Sequence, residues 1–181
     1  ATLLEQKTTI GELVIEDCAG LTSLSPALDN VVTISSSLVL DNLTSLAAAL
    51  LPALQTVGSG VTMSVLPVVE EVGFPALQSV GATVLLERMQ RLQSASFPEV
   101  TAVGGVTWQH RAIIGEVSAP QLSTINGTFR VYVCRHLLGP SFTAGFGRLE
   151  TVTANMHFQD VANHINEAIR SEFSLPVLQT V

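Results

Sequence analysis

The sequence predicts an all-β chain wound into a parallel solenoid of about seven coils. Three observations predict it. A proline-bearing phrase recurs along the whole chain. An alternating apolar triplet follows it at a nearly constant offset. A third short apolar segment closes each unit before the phrase returns.

The phrase reads apolar or small residue, Pro, any residue, Leu, two residues, Val. It appears as Ser25-Pro26-Ala27-Leu28 through Val31, Leu51-Pro52-Ala53-Leu54 through Val57, and Phe74-Pro75-Ala76-Leu77 through Val80. It continues as Phe97-Pro98-Glu99-Val100 through Val103 and Ala119-Pro120-Gln121-Leu122 through Ile125. Phe146-Gly147-Arg148-Leu149 through Val152 has Gly for Pro, and Leu175-Pro176-Val177-Leu178 leads to Val181. The steps between the Pro or Gly positions are 26, 23, 23, 22, 27 and 29 residues.

The triplets are Leu13/Ile15, Leu38/Leu40, Val61/Met63, Val84/Leu86, Val106/Trp108, Phe129/Val131 and Met156/Phe158. Alternation with a period of two marks a strand buried on one face. The first triplet follows Ile10, a strand end whose phrase is absent or lies upstream. The third segments are Leu21/Leu24, Leu43/Leu46, Val69/Val72, Leu92/Ala95, Ile114/Val117, Leu137 to Phe142 and Ile165 to Phe173. Within the last, Val161, Ile165, Ala168 and Ile169 share one helical face, so a short helical excursion is expected over Val161 to Phe173 near the C-terminus.

One coil cannot cover its own apolar face, so neighbours must stack. Each strand then pairs in parallel with its equivalents above and below, about 4.8 Å away. Proline has no N–H to donate and belongs at a corner before the strand. The glycines after Val57, Val80 and Val103 suit a tight turn with positive φ. Met63 and Trp108 are expected in the core.

The phrase Phe-Pro-x-Leu-x-x-Val-Gly followed by an alternating strand resembles the receptor L-domain family, a leucine-rich-repeat-like fold. It also resembles the related GPI-anchored cell-wall proteins of fungi and the surface proteins of protists. Val103-Gly104-Gly105-Val106-Thr107 after Phe97-Pro98 is the closest local match, and the resemblance runs from about Gly11 to Val181. It implies a right-handed β-helix outside the cell that presents a sheet face to a protein or peptide. The chain departs from the family in lacking its Cys-rich caps and most of the Asn residues after the alternating strand, and hormone-receptor function does not transfer.

Composition narrows the partners. Charged residues make up 13% of the chain, against about 25% in typical domains. The formal charge is −7 and Lys7 is the only lysine, which argues against nucleic acid or an anionic membrane as partner. No apolar run approaches the length of a membrane-spanning helix. The chain reads as one domain over 1–181, a mature chain or a piece of a larger protein.

In-register stacking would line up an outward ladder of Val14, Val39, Thr62, Leu85, Thr107, Arg130 and His157, the candidate ligand-binding residues. A second outward column holds Glu16, Asp41, Ser64, Glu87, Gln109, Tyr132 and Gln159. Apolar residues at outward positions of a flat sheet mark a partner surface, or a face covered by a neighbouring domain or by a loop of the same chain. The second column, with the three carboxylates Glu16, Asp41 and Glu87, reads as a solvated face. Ice binding is disfavoured, because Val, Leu, Arg and His interrupt Thr62 and Thr107.

His110, His136, His157 and His164 show no metal-ligand spacing, and no nucleophile, phosphate-loop or dinucleotide motif occurs. No enzyme activity, cofactor or metal is therefore expected. Cys18 and Cys134 sit five coils apart, roughly 24 Å at the strand spacing. A disulfide needs Cα atoms within about 7 Å, so they are not expected to bond to each other. Asn42-Leu43-Thr44 and Asn126-Gly127-Thr128 fit the glycosylation pattern and fall near turns.

Two functions compete. One is an extracellular or cell-surface recognition module for a protein or peptide. The other is a structural wall, matrix or filament component that self-associates through the solenoid ends, where uncapped strand edges template further pairing.

Overall fold

A computed structural model describes residues 8–109, 116–132 and 146–159. In chain order its strands are β1 Thr9–Ile10, β2 Leu13–Glu16, β3 Thr33–Ile34, β4 Leu38–Asp41, β5 Ala48–Leu50, β6 Thr56–Val57, β7 Val61–Ser64 and β8 Glu71–Gly73. They continue with β9 Ser79–Glu87, β10 Ser94–Ser96, β11 Ala102–Gln109, β12 Glu116–Ser118, β13 Thr124–Ile125, β14 Phe129–Tyr132, β15 Thr151–Val152 and β16 Met156–Gln159. No helix occurs among the described residues. The excursion expected over Val161 to Phe173 and the phrase ending at Val181 lie outside them.

Every pairing among the described strands is parallel, as stacked coils require. A sheet of twelve strands carries the aliphatic ends of the phrase and the alternating triplets. A sheet of four strands, β5, β8, β10 and β12, carries the third segment. Ile10, Ile34, Val57, Val80, Val103, Ile125 and Val152 stand in one column, which gives seven rungs and six full turns.

Two β-turns join the faces in the coils whose corners are described. In the first, Leu46 N–H donates to Leu43 at 3.3 Å, Val69 to Leu66 at 3.4 Å and Leu92 to Met89 at 3.4 Å. In the second, Leu54 donates to Leu51 at 3.3 Å, Leu77 to Phe74 at 3.1 Å and Leu122 to Ala119 at 3.0 Å. Pro52, Pro75 and Pro120 occupy the second position of that turn, where a fixed φ helps and no donor is needed. These prolines therefore sit at corners, as expected.

Apolar residues fill the interior: among the described residues none of polar or charged type is buried, and the indole nitrogen of Trp108 is a polar atom inside it. Leu40, Met63, Leu86 and Val131 are fully buried in one column, with Trp108 nearly so and half-buried Ile15 below them. Each such side chain contributes about 1.5–3 kcal/mol relative to exposure, so the stack is the main source of stability. Ile15 is half-buried because no described rung lies beneath it. Trp108 and Phe129 meet edge-to-face with centroids 5.8 Å apart, and Phe74 and Phe97 do so at 5.7 Å.

Three expectations need correction. First, Leu28, not Ser25, is the equivalent of Leu51: Val31 N–H closes its turn on Leu28 O at 3.1 Å, and Ile34 pairs with Val57. Pro26 belongs to an extra turn, in which Asp29 N–H donates to Pro26 O at 3.3 Å. Second, Leu43/Leu46 align with Leu66/Val69 rather than with Val69/Val72, and Ala49 is the residue paired with Val72. Third, no glycine among the described residues has positive φ. Gly58 and Gly81 are needed for space: a Cβ at either would lie 2.1 Å from a carbonyl oxygen of the rung before, that of Ser35 or Gly58. Positive φ occurs instead at Asp17, Asn42, Val65 and Arg88, the corner after the alternating strand.

Candidate recognition face

In a pleated strand the residues between two buried positions must point outward. Val14, Val39, Thr62, Leu85, Thr107, Arg130 and His157 occupy those positions, and pairing brings all seven into a single column. Val14 is 47% exposed at the first rung. Val39, Thr62, Leu85 and Thr107 are half-buried, because neighbours in the column shield one another across strands. Arg130 and His157 are exposed.

Glu16, Asp41, Ser64, Glu87, Gln109, Tyr132 and Gln159 form the adjacent column by the same pairings. Gln109 Nε2 donates to Glu87 Oε2 at 3.1 Å, and Arg88 Nε lies 3.4 Å from Glu87 Oε1. Glu87 is thus already balanced, whereas Glu16 and Asp41 face no basic side chain among the described residues. Every described strand belongs to one of the two sheets, so no described strand lies over these columns.

A third outward column went unnoticed in the sequence: Thr9, Thr33, Thr56, Ser79, Ala102, Thr124 and Thr151. Thr56 and Thr33 share a hydroxyl bond of 3.3 Å. Its signal was the hydroxyl residue standing before the aliphatic end of most phrases. On the second sheet Leu50 is 40% exposed and leans over Gly73, where a Cβ would fall 2.9 Å from Leu50 Cδ2.

The remaining candidates stay scattered. Asn42 is half-buried at φ 51°, and its Nδ2 donates to Asp17 Oδ1 at 2.7 Å. Asn126 is exposed in its turn. The Cys18 thiol is exposed and donates to Glu16 O at 3.2 Å. Cys134, His110, His136 and His164 lie outside the described residues. Among the described residues no three His, Cys, Asp or Glu side chains group as metal ligands, and no helix is long and apolar enough to cross a membrane.

No known protein family matches the chain, and no curated protein or solved structure matches it either.

Proposed function

We propose that this chain is an extracellular, cell-surface recognition module of the receptor L-domain kind. It binds a protein or peptide through the outward columns of the large sheet, not by chemistry on a substrate. One observation carries the reading: the ladder from Val14 to His157 runs in register over seven rungs, mixing apolar and polar side chains on one regular face. The coil phrase supports the family, and a low content of charged residues accords with a chain outside the cell.

The test is binding of the fluorescently labelled chain to intact cells. The double variant Val39→Arg/Leu85→Arg places bulk and charge in the middle of the ladder and is expected to abolish binding. Ser94→Arg/Ser96→Arg does the same on the second sheet and is expected to leave binding intact. Circular dichroism confirms that both fold. Equal behaviour of the two variants would remove the ladder from the function.

A second reading is favoured by the first rung. Val14 stands 47% exposed on β2, a strand with one described neighbour, β4. An edge at the first described rung suits end-to-end assembly into a wall or filament. Sedimentation over a wide dilution range, with electron microscopy, checks it: an unchanging monomer rejects assembly.

A further inference from the structure

We propose that the first four rungs of the large sheet receive a cationic amphipathic helix of a partner protein, laid along the solenoid axis across β2, β4, β7 and β9. The inference rests on the recognition reading above and adds the chemistry of the partner.

Charge is divided unevenly along the chain. Residues 8–87, which build these rungs, contain Glu12, Glu16, Asp17, Asp29, Asp41, Glu70, Glu71 and Glu87 and neither Lys nor Arg. Seven of the eight Lys and Arg residues begin at Arg88 or later. On the sheet face this acidity has a shape. Val14, Val39 and Leu85 form an apolar row with Thr62, and Glu16 and Asp41 run beside it with no basic partner among the described residues. An apolar row edged by carboxylates complements a segment with apolar residues on one side and Lys or Arg along their flank.

Spacing selects a helix. Rungs repeat every ~4.8 Å, and a helix rises 5.4 Å per turn. Apolar residues at i, i+3 or i+4, i+7 and i+10 or i+11 therefore meet successive rungs one by one. Four rungs span roughly 14 Å, close to ten helical residues. The row ends where Arg130 enters the column, since its positive charge there repels a cationic segment. Glu87 is engaged by Arg88 and Gln109, so the attraction centres on Glu16 and Asp41.

The probe is a fluorescein-labelled Leu/Lys helical peptide of this pattern, with a Lys-to-Gln peptide as control, followed by fluorescence anisotropy at low salt. The wild-type chain is expected to bind the Lys peptide and to bind the Gln peptide at least about tenfold more weakly. Glu16→Lys/Asp41→Lys is expected to weaken the Lys peptide at least about tenfold. Glu70→Lys/Glu71→Lys makes the same change in net charge at exposed positions leading into and on the second sheet, and is expected to leave affinity within about twofold.

Equal losses in the two variants would mean diffuse attraction to an acidic protein and would overturn the proposal. Equal binding of the Gln peptide would overturn the cationic partner. So would a chain that sediments as a dimer through this face, or that binds neither peptide because its own residues cover the rungs. The face itself is judged separately: if no peptide binds but Val39→Arg/Leu85→Arg still abolishes cell binding, the partner chemistry is wrong and the recognition face stands.

Discussion

Replacing Gly81 by alanine tests how closely the rungs approach. The added Cβ would lie 2.1 Å from Gly58 O and 3.0 Å from Gly58 C. Both are backbone atoms and cannot swing aside. Restoring normal contact requires the two rungs to part by about 1 Å. The adjacent bond from Ala82 N–H to Ser59 O, now 2.9 Å, would then leave hydrogen-bond range. One or two ladder bonds at about 0.5–1.5 kcal/mol each, plus residual strain, oppose a gain of about 0.4–1 kcal/mol from the stiffer unfolded chain. The expected net loss is about 2–3 kcal/mol, or a fall in Tm of about 5–10 °C for a chain of this size. Thermal and urea unfolding followed by circular dichroism measure it. Gly20→Ala is the control, with nothing within 4 Å of its new Cβ and no positive φ; it is expected to match the parent or gain slightly. A Gly81→Ala chain as stable as the parent would refute close approach as the reason for glycine there.

Three further substitutions probe the coil. Val65 is a β-branched residue held at φ 52°, so Val65→Asn is expected to raise stability by about 1 kcal/mol in urea unfolding. Ala119 stands in the column that otherwise holds Leu28, Leu51, Phe74, Phe97 and Phe146, and borders an apolar void of about 30 Å3 between Phe97 and Phe146. Ala119→Val should gain about 0.7 kcal/mol by filling it, whereas Ala119→Phe should overpack and lose about 1–3 kcal/mol; calorimetry distinguishes the two. Met63 is fully buried and Thr62 beside it points outward. Met63→Ala should lose about 2–5 kcal/mol and Thr62→Ala less than about 0.5 kcal/mol, a contrast that urea midpoints check directly.

The ladder and its neighbouring column were legible in the sequence residue by residue. Alternation in Leu13/Ile15, Leu38/Leu40 and their successors assigns each residue a side, and the pairing follows that assignment in all seven rungs. The threonine column was less legible, because its strands contribute two residues and show no alternation of their own. The uneven charge needed the fold before it had meaning: only stacking turns a distance along the chain into a position along an axis.

Burial of apolar surface is a property of each residue, so composition and periodicity alone determined that this chain coils, that Met63 and Trp108 lie inside, and that Val39 and Thr62 face out. Register is a property of two coils at once. With apolar residues recurring every third position from Cys18 through Leu24 and from Leu43 through Ala49, a slip of three keeps most of the interior apolar, and local pattern cannot choose between Leu28 and Ser25 as the start of a turn. Hydrogen bonds between rungs make that choice. The same holds at Gly58 and Gly81, where the neighbouring rung's carbonyl, and no φ of their own, excludes a side chain.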